Sequence, residues 1–314
     1  MAENKASLLT RGVKFGILFV EKNGMRKTMK QILNQTFDEE RALYAIRDAA
    51  VENCRFIGPA DGESAFKEAA DIVVRECDFH LRYPFWHTAR AQVTSIRMHE
   101  TCRAPLWYAE DISIEKSVLH GPKALRECAN ISLRASDISS VEFGWFCRDI
   151  TVEDSSLSGE YLFLHAKNLT LRNVSLKGKY SFQYCENIEI YDSVLDTKDA
   201  FWESKNVTVY NSTVSGEYLA WYAKGIRFVN CRIAGTQPLC YARGVALEDC
   251  TMEGCDLSFE YSEVACNVKG KIDSVKNPLA GSTVTADAIG EIILDENRKD
   301  GGDVKIVCKM TESA

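Results

Sequence analysis

Asn168-Leu169-Thr170-Leu171-Arg172-Asn173 returns nineteen residues later as Asn187-Ile188-Glu189-Ile190-Tyr191-Asp192, and once more as Asn206-Val207-Thr208-Val209-Tyr210-Asn211. The period runs from Asp111 to Gly244 without an insertion. Its first position holds Asp111, Asn130, Asp149, Asn168, Asn187, Asn206, Gly225 and Gly244. The next position is always aliphatic, and the one two further on is apolar throughout. A unit this short cannot bury its own apolar face, so successive copies must stack.

Inside the unit the alternation has period two. Leu169 and Leu171 point in while Thr170 and Arg172 point out, which describes a strand. Asn173 and its counterparts Asp154, Asp192, Asn211, Asn230 and Asp249 then bend the chain, since Asn and Asp tolerate left-handed backbone. Gly178 makes a second corner in register with Gly121, Gly159, Gly216, Gly235 and Gly254. A third strand is expected from Tyr180 to about Cys185, with Glu186-Asn187 as the third corner. The reading is an all-β fold, a single-stranded parallel β-helix of about 11–12 coils, right-handed by the crossover rule. A leucine-rich solenoid would need a Leu-x-x-Leu-x-Leu consensus and a helical arc, and the repeat has neither.

The flanks set the domain organisation. Residues 1–30 carry no repeat and read as an extension. The β-helix is expected over 31–286, with looser early turns starting near Asp48, Asp71 and Gln92 and insertions at 58–62 and around Tyr83-Pro84. Residues 287–314 read as a capping hairpin and tail, Glu291–Leu294 against Val304–Val307.

Composition removes some functions. A net charge of −7 and a pI near 5.4 argue against nucleic acid or an anionic membrane as partner. No apolar run approaches the roughly 20 residues of a membrane span, and no export signal is apparent. The 12 cysteines therefore read as reduced, and the protein as cytoplasmic. Most of them fall into repeat columns, with neither a Cys-x-x-Cys nor zinc spacing, so no metal and no cofactor is expected.

The third strand carries the functional information. If it alternates, Leu162, Leu164, Ala166, Phe143, Trp145, Cys147, Leu219, Trp221 and Ala223 face the core, as does Trp202. Arg126 would then be sandwiched between Trp107 and Trp145. The opposite parity faces solvent: Tyr161, Tyr180, Asp199 and Tyr218; then Phe163, Phe182 and Phe201. Its last column reads Glu68, His87, Tyr108, Glu127, Phe146, His165, Tyr184, Glu203, Tyr222, Tyr241 and Glu260. An exposed strip of rings interrupted by carboxylates suggests binding, and a sugar suits it: C–H faces on aromatics, hydroxyls on carboxylate and imidazole. Substrate-binding candidates are Asp61, Glu63, Arg82, Phe146, His165, Tyr184, Glu203, Tyr222 and Tyr241, for an oligo- or polysaccharide partner. Two alternatives stay open: a self-stabilising aromatic ladder, or a strip covered by residues 1–30 or by a second subunit in a homo-oligomer.

Candidate catalytic residues are Glu68, His87, Tyr108 and Glu127, with Glu68 beside His87 across the strands to orient an imidazole base. Glu68 and Glu127 stand three coils apart, roughly 14 Å, whereas paired glycosidase carboxylates need about 5 to 9.5 Å. A hydrolase of the two-carboxylate type is not supported by this register. A polysaccharide lyase would want Lys or Arg beside the strip, and Arg82 is the candidate.

Three stretches carry a family resemblance: Asn34-Gln35-Thr36-Phe37-Asp38-Glu39-Glu40-Arg41-Ala42-Leu43-Tyr44, Gly58-Pro59-Ala60-Asp61-Gly62-Glu63-Ser64-Ala65 and Leu81-Arg82-Tyr83-Pro84-Phe85-Trp86-His87. They resemble the bacterial domain-of-unknown-function family 3737, over about residues 30 to 295, with the family's usual start resembling the chain from Met29. The resemblance implies a right-handed, pectin-lyase-like parallel β-helix and transfers no catalytic residue. Such folds host lyases, hydrolases, esterases and non-enzymes.

Overall fold

A computed structural model describes residues 18–20, 26–58, 63–298 and 302–309. The alternating stretches form strands such as Lys167–Arg172 and Ser175–Lys179, each in register with the same strand one coil on. Leu169 pairs with Ile188 and Ile188 with Val207. The result is a parallel β-solenoid of about 14 turns at roughly 19-residue spacing. That exceeds the expected 11–12 because the irregular ends stack as coils too. Thr283–Ile293 pairs parallel with the strand before it, and Lys305–Cys308 pairs parallel with Thr283–Ala286. The expected terminal hairpin is therefore absent: the last strand continues the solenoid. Among the described residues, no helix is long and apolar enough to cross a membrane.

The corners follow from side-chain chemistry. At the corner expected at Glu186-Asn187, the equivalent residues Asn168, Asn187 and Asn206 all have positive φ. Their amides run as a ladder, Asn187 Nδ2 donating to Asn168 Oδ1 at 2.9 Å and Asn206 to Asn187 at 3.1 Å. Asn173, Asn211 and Asn230 repeat the device at the bend that follows the strand. Glycine at 178 answers a different need. A Cβ there would run into the carbonyl oxygen of Gly159, so the coils approach too closely for any side chain.

The third side departs from the expectation. Among the described residues it is a strand in three coils, Leu106–Trp107, Leu125–Arg126 and Phe143–Trp145. From Phe163 onward it is a run of turns in which every second residue is left-handed, for example Tyr180, Phe182 and Tyr184 at φ 59°, 62° and 57°. A non-glycine residue in that region costs about 1–2 kcal/mol. Inter-coil hydrogen bonds offset the cost: Tyr180 N donates to Lys198 O at 2.8 Å, Phe182 N to Leu162 O at 2.8 Å and Tyr184 N to Trp202 O at 2.9 Å.

That backbone breaks the two-residue parity. Leu162 and Phe163, though adjacent, are both buried, and Phe163, Phe182 and Phe201 are fully buried rather than solvent-facing. They stack through the core, Phe182 on Phe201 at 4.8 Å and 8° and on Phe163 at 5.4 Å and 7°. Trp145, Leu164, Trp202 and Trp221, expected inside, are half-buried on the surface instead. Ala166, Cys147, Ala223, Leu219 and Phe143 do face the core.

The cysteines behave as small apolar groups with weak donors. All twelve are free, eleven buried and only Cys308 exposed. Burial pushes the thiols of Cys77, Cys102 and Cys255 up to about 12. A thiol reagent applied to the folded chain at neutral pH is therefore expected to modify one cysteine quickly, Cys308, and the others only on unfolding. Rapid loss of more than one thiol would show that the core opens.

Candidate functional site

The residues of the last column come together. Glu68, His87, Tyr108, Glu127, Phe146, His165, Tyr184, Glu203, Tyr222 and Tyr241 sit at equivalent points of successive coils, every one left-handed. Tyr108, Phe146, Tyr184 and Tyr222 are between 40% and 49% exposed, so the ladder is open among the described residues. His87 stacks on Tyr108 at 5.0 Å, Phe146 on His165 at 5.1 Å, His165 on Tyr184 at 4.8 Å and Tyr222 on Tyr241 at 5.1 Å. The last member is Tyr261, not Glu260. Tyr241 N donates to Glu260 O, which places Tyr261 in the column, and Glu260 turns aside to pair with Lys276 at 2.9 Å.

The tryptophans flank this ladder. All five in the chain, Trp86, Trp107, Trp145, Trp202 and Trp221, occupy the neighbouring column and are half-buried. Arg126 fills the same column, 5.8 Å from the Trp107 ring and 5.1 Å from the Trp145 ring. It bridges two indoles as expected, but at the surface. Lys67 lies 4.3 Å from the Trp86 ring centroid. Their 19- to 21-residue spacing was visible in the sequence; the assumed strand parity sent them to the core.

Of the candidate catalytic residues, His87 and Tyr108 are in direct ring contact. Among the described residues no hydrogen bond or ion pair joins Glu68 to His87; the imidazole stacks on Tyr108 instead. Glu127 is engaged by Trp107 Nε1 at 3.3 Å and lies 3.7 Å from Arg126 Nε. Glu63 and Arg82 form an ion pair at 3.5 Å. Asp61 lies outside the described residues.

Asp199, expected outside, is almost fully buried. Burial raises its pKa, Lys198 lowers it and Glu217 raises it, leaving a net upward shift. A carboxylate that is harder to ionise when folded destabilises the protein above its folded pKa, and the penalty vanishes below the ordinary carboxylate range. Asp199→Asn is therefore expected to raise the melting temperature at pH 7, with the gain fading as pH falls below that range. A gain that persisted undiminished in acid would contradict this origin.

Mutual stacking has a chemical consequence. In the middle of the ladder each ring covers its neighbours' faces and shows solvent an edge. Toward the C-terminal end the rings meet at wider angles. There Trp202 and Trp221 tilt by 40°, Trp221 meets Tyr241 at 63°, and Tyr241 and Tyr261 are 38° apart. A groove of about 510 Å³ opens at this point, lined by Tyr222, Tyr241, Tyr261, Arg243, Glu263, Leu279 and Ala280. Burial, followed by the charge of Glu260, raises the Tyr241 phenol, keeping it an O–H donor. Arg243 is held in place by donating to the carbonyls of Ala242 and Tyr261 at 3.1 and 2.9 Å.

A family of proteins of unknown function, DUF3737, matches residues 30–307. The chain belongs to that family. Among curated proteins none matches. Solved structures similar to it include PfbA, a surface adhesin of Streptococcus pneumoniae, at 7% identity over 87% of this chain and 85% of that one, TM-score 0.40. A mannuronic acid specific polysaccharide family 6 lyase from human gut microbiota is similar at 6% identity over 91% and 88%, TM-score 0.39. The A-module of the Azotobacter vinelandii mannuronan C-5 epimerase AlgE6 follows at 13% over 89% and 87%, TM-score 0.35. Likeness of this order assigns this DUF3737 member no activity.

Proposed function

We propose that the protein binds a carbohydrate chain at the C-terminal end of its aromatic face, in the groove lined by Tyr222, Tyr241 and Tyr261. The groove supports this because Tyr241 and Tyr261 meet there at 38° rather than face to face, beside a guanidinium and a carboxylate. Ring faces take the apolar C–H side of a sugar, while Arg243, Glu263 and the Tyr241 hydroxyl supply donors and acceptors to its hydroxyls. The regular centre of the ladder, Phe146 to Tyr184, has the role of inter-coil packing, each offset pair worth about 0.5–1.5 kcal/mol. The reading is one of binding, since the ladder's carboxylates do not pair. The protein would work in a reducing compartment, which its twelve free thiols support.

The test is a screen of neutral and uronic oligosaccharides by array, followed by calorimetry. A hit that needs Tyr241 and Tyr261 but not His165 is expected. No binding to any glycan, or binding that depends on the ladder's centre, would sink the proposal.

A further inference from the structure

We propose that Asp78, His80 and His99 form a binding site for one divalent transition-metal ion of the zinc class. The site is independent of the aromatic face and lies at the opposite end of the third side from the His87 ladder. Strands Asp78–Phe79 and Arg97–Met98 pair in parallel register, Asp78 with Arg97 and Phe79 with Met98. The residues that follow, His80 and His99, are thereby placed over one another at the next corner. Their ring centroids are 3.9 Å apart at 15°, the closest ring pair among the described residues. Both aim Nε2 at a single carboxylate, His80 at 2.9 Å from Asp78 Oδ2 and His99 at 2.7 Å from Oδ1. One ligand atom from each of the three lies within 4.8 Å of the others. The column continues to His120, so it holds three of the chain's five histidines.

Two imidazoles and one carboxylate are donors that favour zinc, cobalt, nickel, copper or ferrous iron over calcium or magnesium, which prefer all-oxygen sets. With metal–nitrogen bonds of about 2.0–2.1 Å, adjacent ligand atoms stand about 3.3 Å apart around a tetrahedral ion. The present contacts of 2.7 and 2.9 Å run to different oxygens of Asp78, so on binding the side chains shift until one oxygen and both Nε2 atoms face the ion. The side chains are about one-third exposed, 37%, 35% and 30% for His80, His99 and Asp78, so the rings have room to splay. On binding, the Nε2 proton now donated to Asp78 passes through solvent to Nδ1, which frees the Nε2 lone pair for the ion. Water completes the coordination. Arg55, with Nε 4.0 Å from Asp78 Oδ2, is the cation that the metal displaces from the carboxylate. In the next coils His120 is occupied by Asp137 at 2.9 Å, and Ser156 also donates to Asp137.

The experiment uses the full chain without a histidine tag, titrated calorimetrically with zinc chloride, and a cobalt(II) titration read by its visible absorption. Wild type is expected to bind one zinc per chain. His80→Ala and His99→Ala should each weaken binding at least tenfold, about the loss that removal of even an outer-shell partner causes. His165→Ala, on the other face, should match wild type. The cobalt band should appear in wild type and vanish in His99→Ala. Circular dichroism checks that the variants remain folded. Equal affinity in wild type and His99→Ala, binding of calcium or magnesium in place of zinc, or no zinc uptake would each overturn the proposal.

Discussion

Replacing Phe182 by alanine is expected to destabilise the protein by about 3–5 kcal/mol, the range for truncating a buried aromatic side chain. Replacing Tyr184, two residues on, is expected to cost about 1 kcal/mol, the loss of one or two offset stacking contacts. If the third side were a pleated strand, residues 182 and 184 would face the same way and the two costs would be similar. Instead Phe182 is fully buried between Phe163 and Phe201, while Tyr184 is 40% exposed and stacks on His165. In a solenoid each coil depends on its neighbours, so a cavity at Phe182 loosens contacts on both sides and should lower the denaturant midpoint of the whole transition. Urea unfolding of the two variants measures the difference directly. Equal midpoints would contradict the alternating left-handed backbone. Trp202→Ala belongs between them, since Trp202 is half-buried at the surface.

Tyr241→Ala is expected to weaken glycan binding by about thirtyfold, corresponding to about 2 kcal/mol for the loss of an aromatic anchor at the centre of a binding patch. Tyr241 stacks on Tyr222 at 5.1 Å, leans against Trp221 at 5.4 Å and Tyr261 at 5.8 Å, and lines the groove. It therefore both offers a surface and orients its neighbours. Tyr241→Phe separates the two contributions: retained affinity assigns the effect to the ring, and a loss approaching that of alanine assigns it to the hydroxyl. Titration calorimetry with the best glycan from the screen is the measurement. Undiminished binding by Tyr241→Ala would move the site elsewhere or abolish it.

The two outcomes mark where the sequence could be read and where it could not. The strands bearing Leu169, Ile188 and Val207 were legible because a strand imposes a period of two on side-chain direction. The Asn and Gly corners were legible because few residue types accept their backbone. Projecting the same parity onto Tyr180–Cys185 inverted two columns, moving the phenylalanines out and the tryptophans in. A histidine column was present in the numbering too, at His80, His99 and His120. Nothing in the spacing showed that Asp78 would reach both rings.

By itself the sequence determined the parallel solenoid and the alignment of its columns, since a stacked repeat carries equal positions to equal places whatever the local backbone does. It also determined that Glu68 and Glu127 stand coils apart. Only the tertiary structure decided which columns face inward on the third side. That direction depends on alternating right- and left-handed residues held by hydrogen bonds from adjacent coils, a property of the stack rather than of any one repeat. The structure likewise decided where a groove opens beside the rings, because that depends on how the last, unlike coils meet.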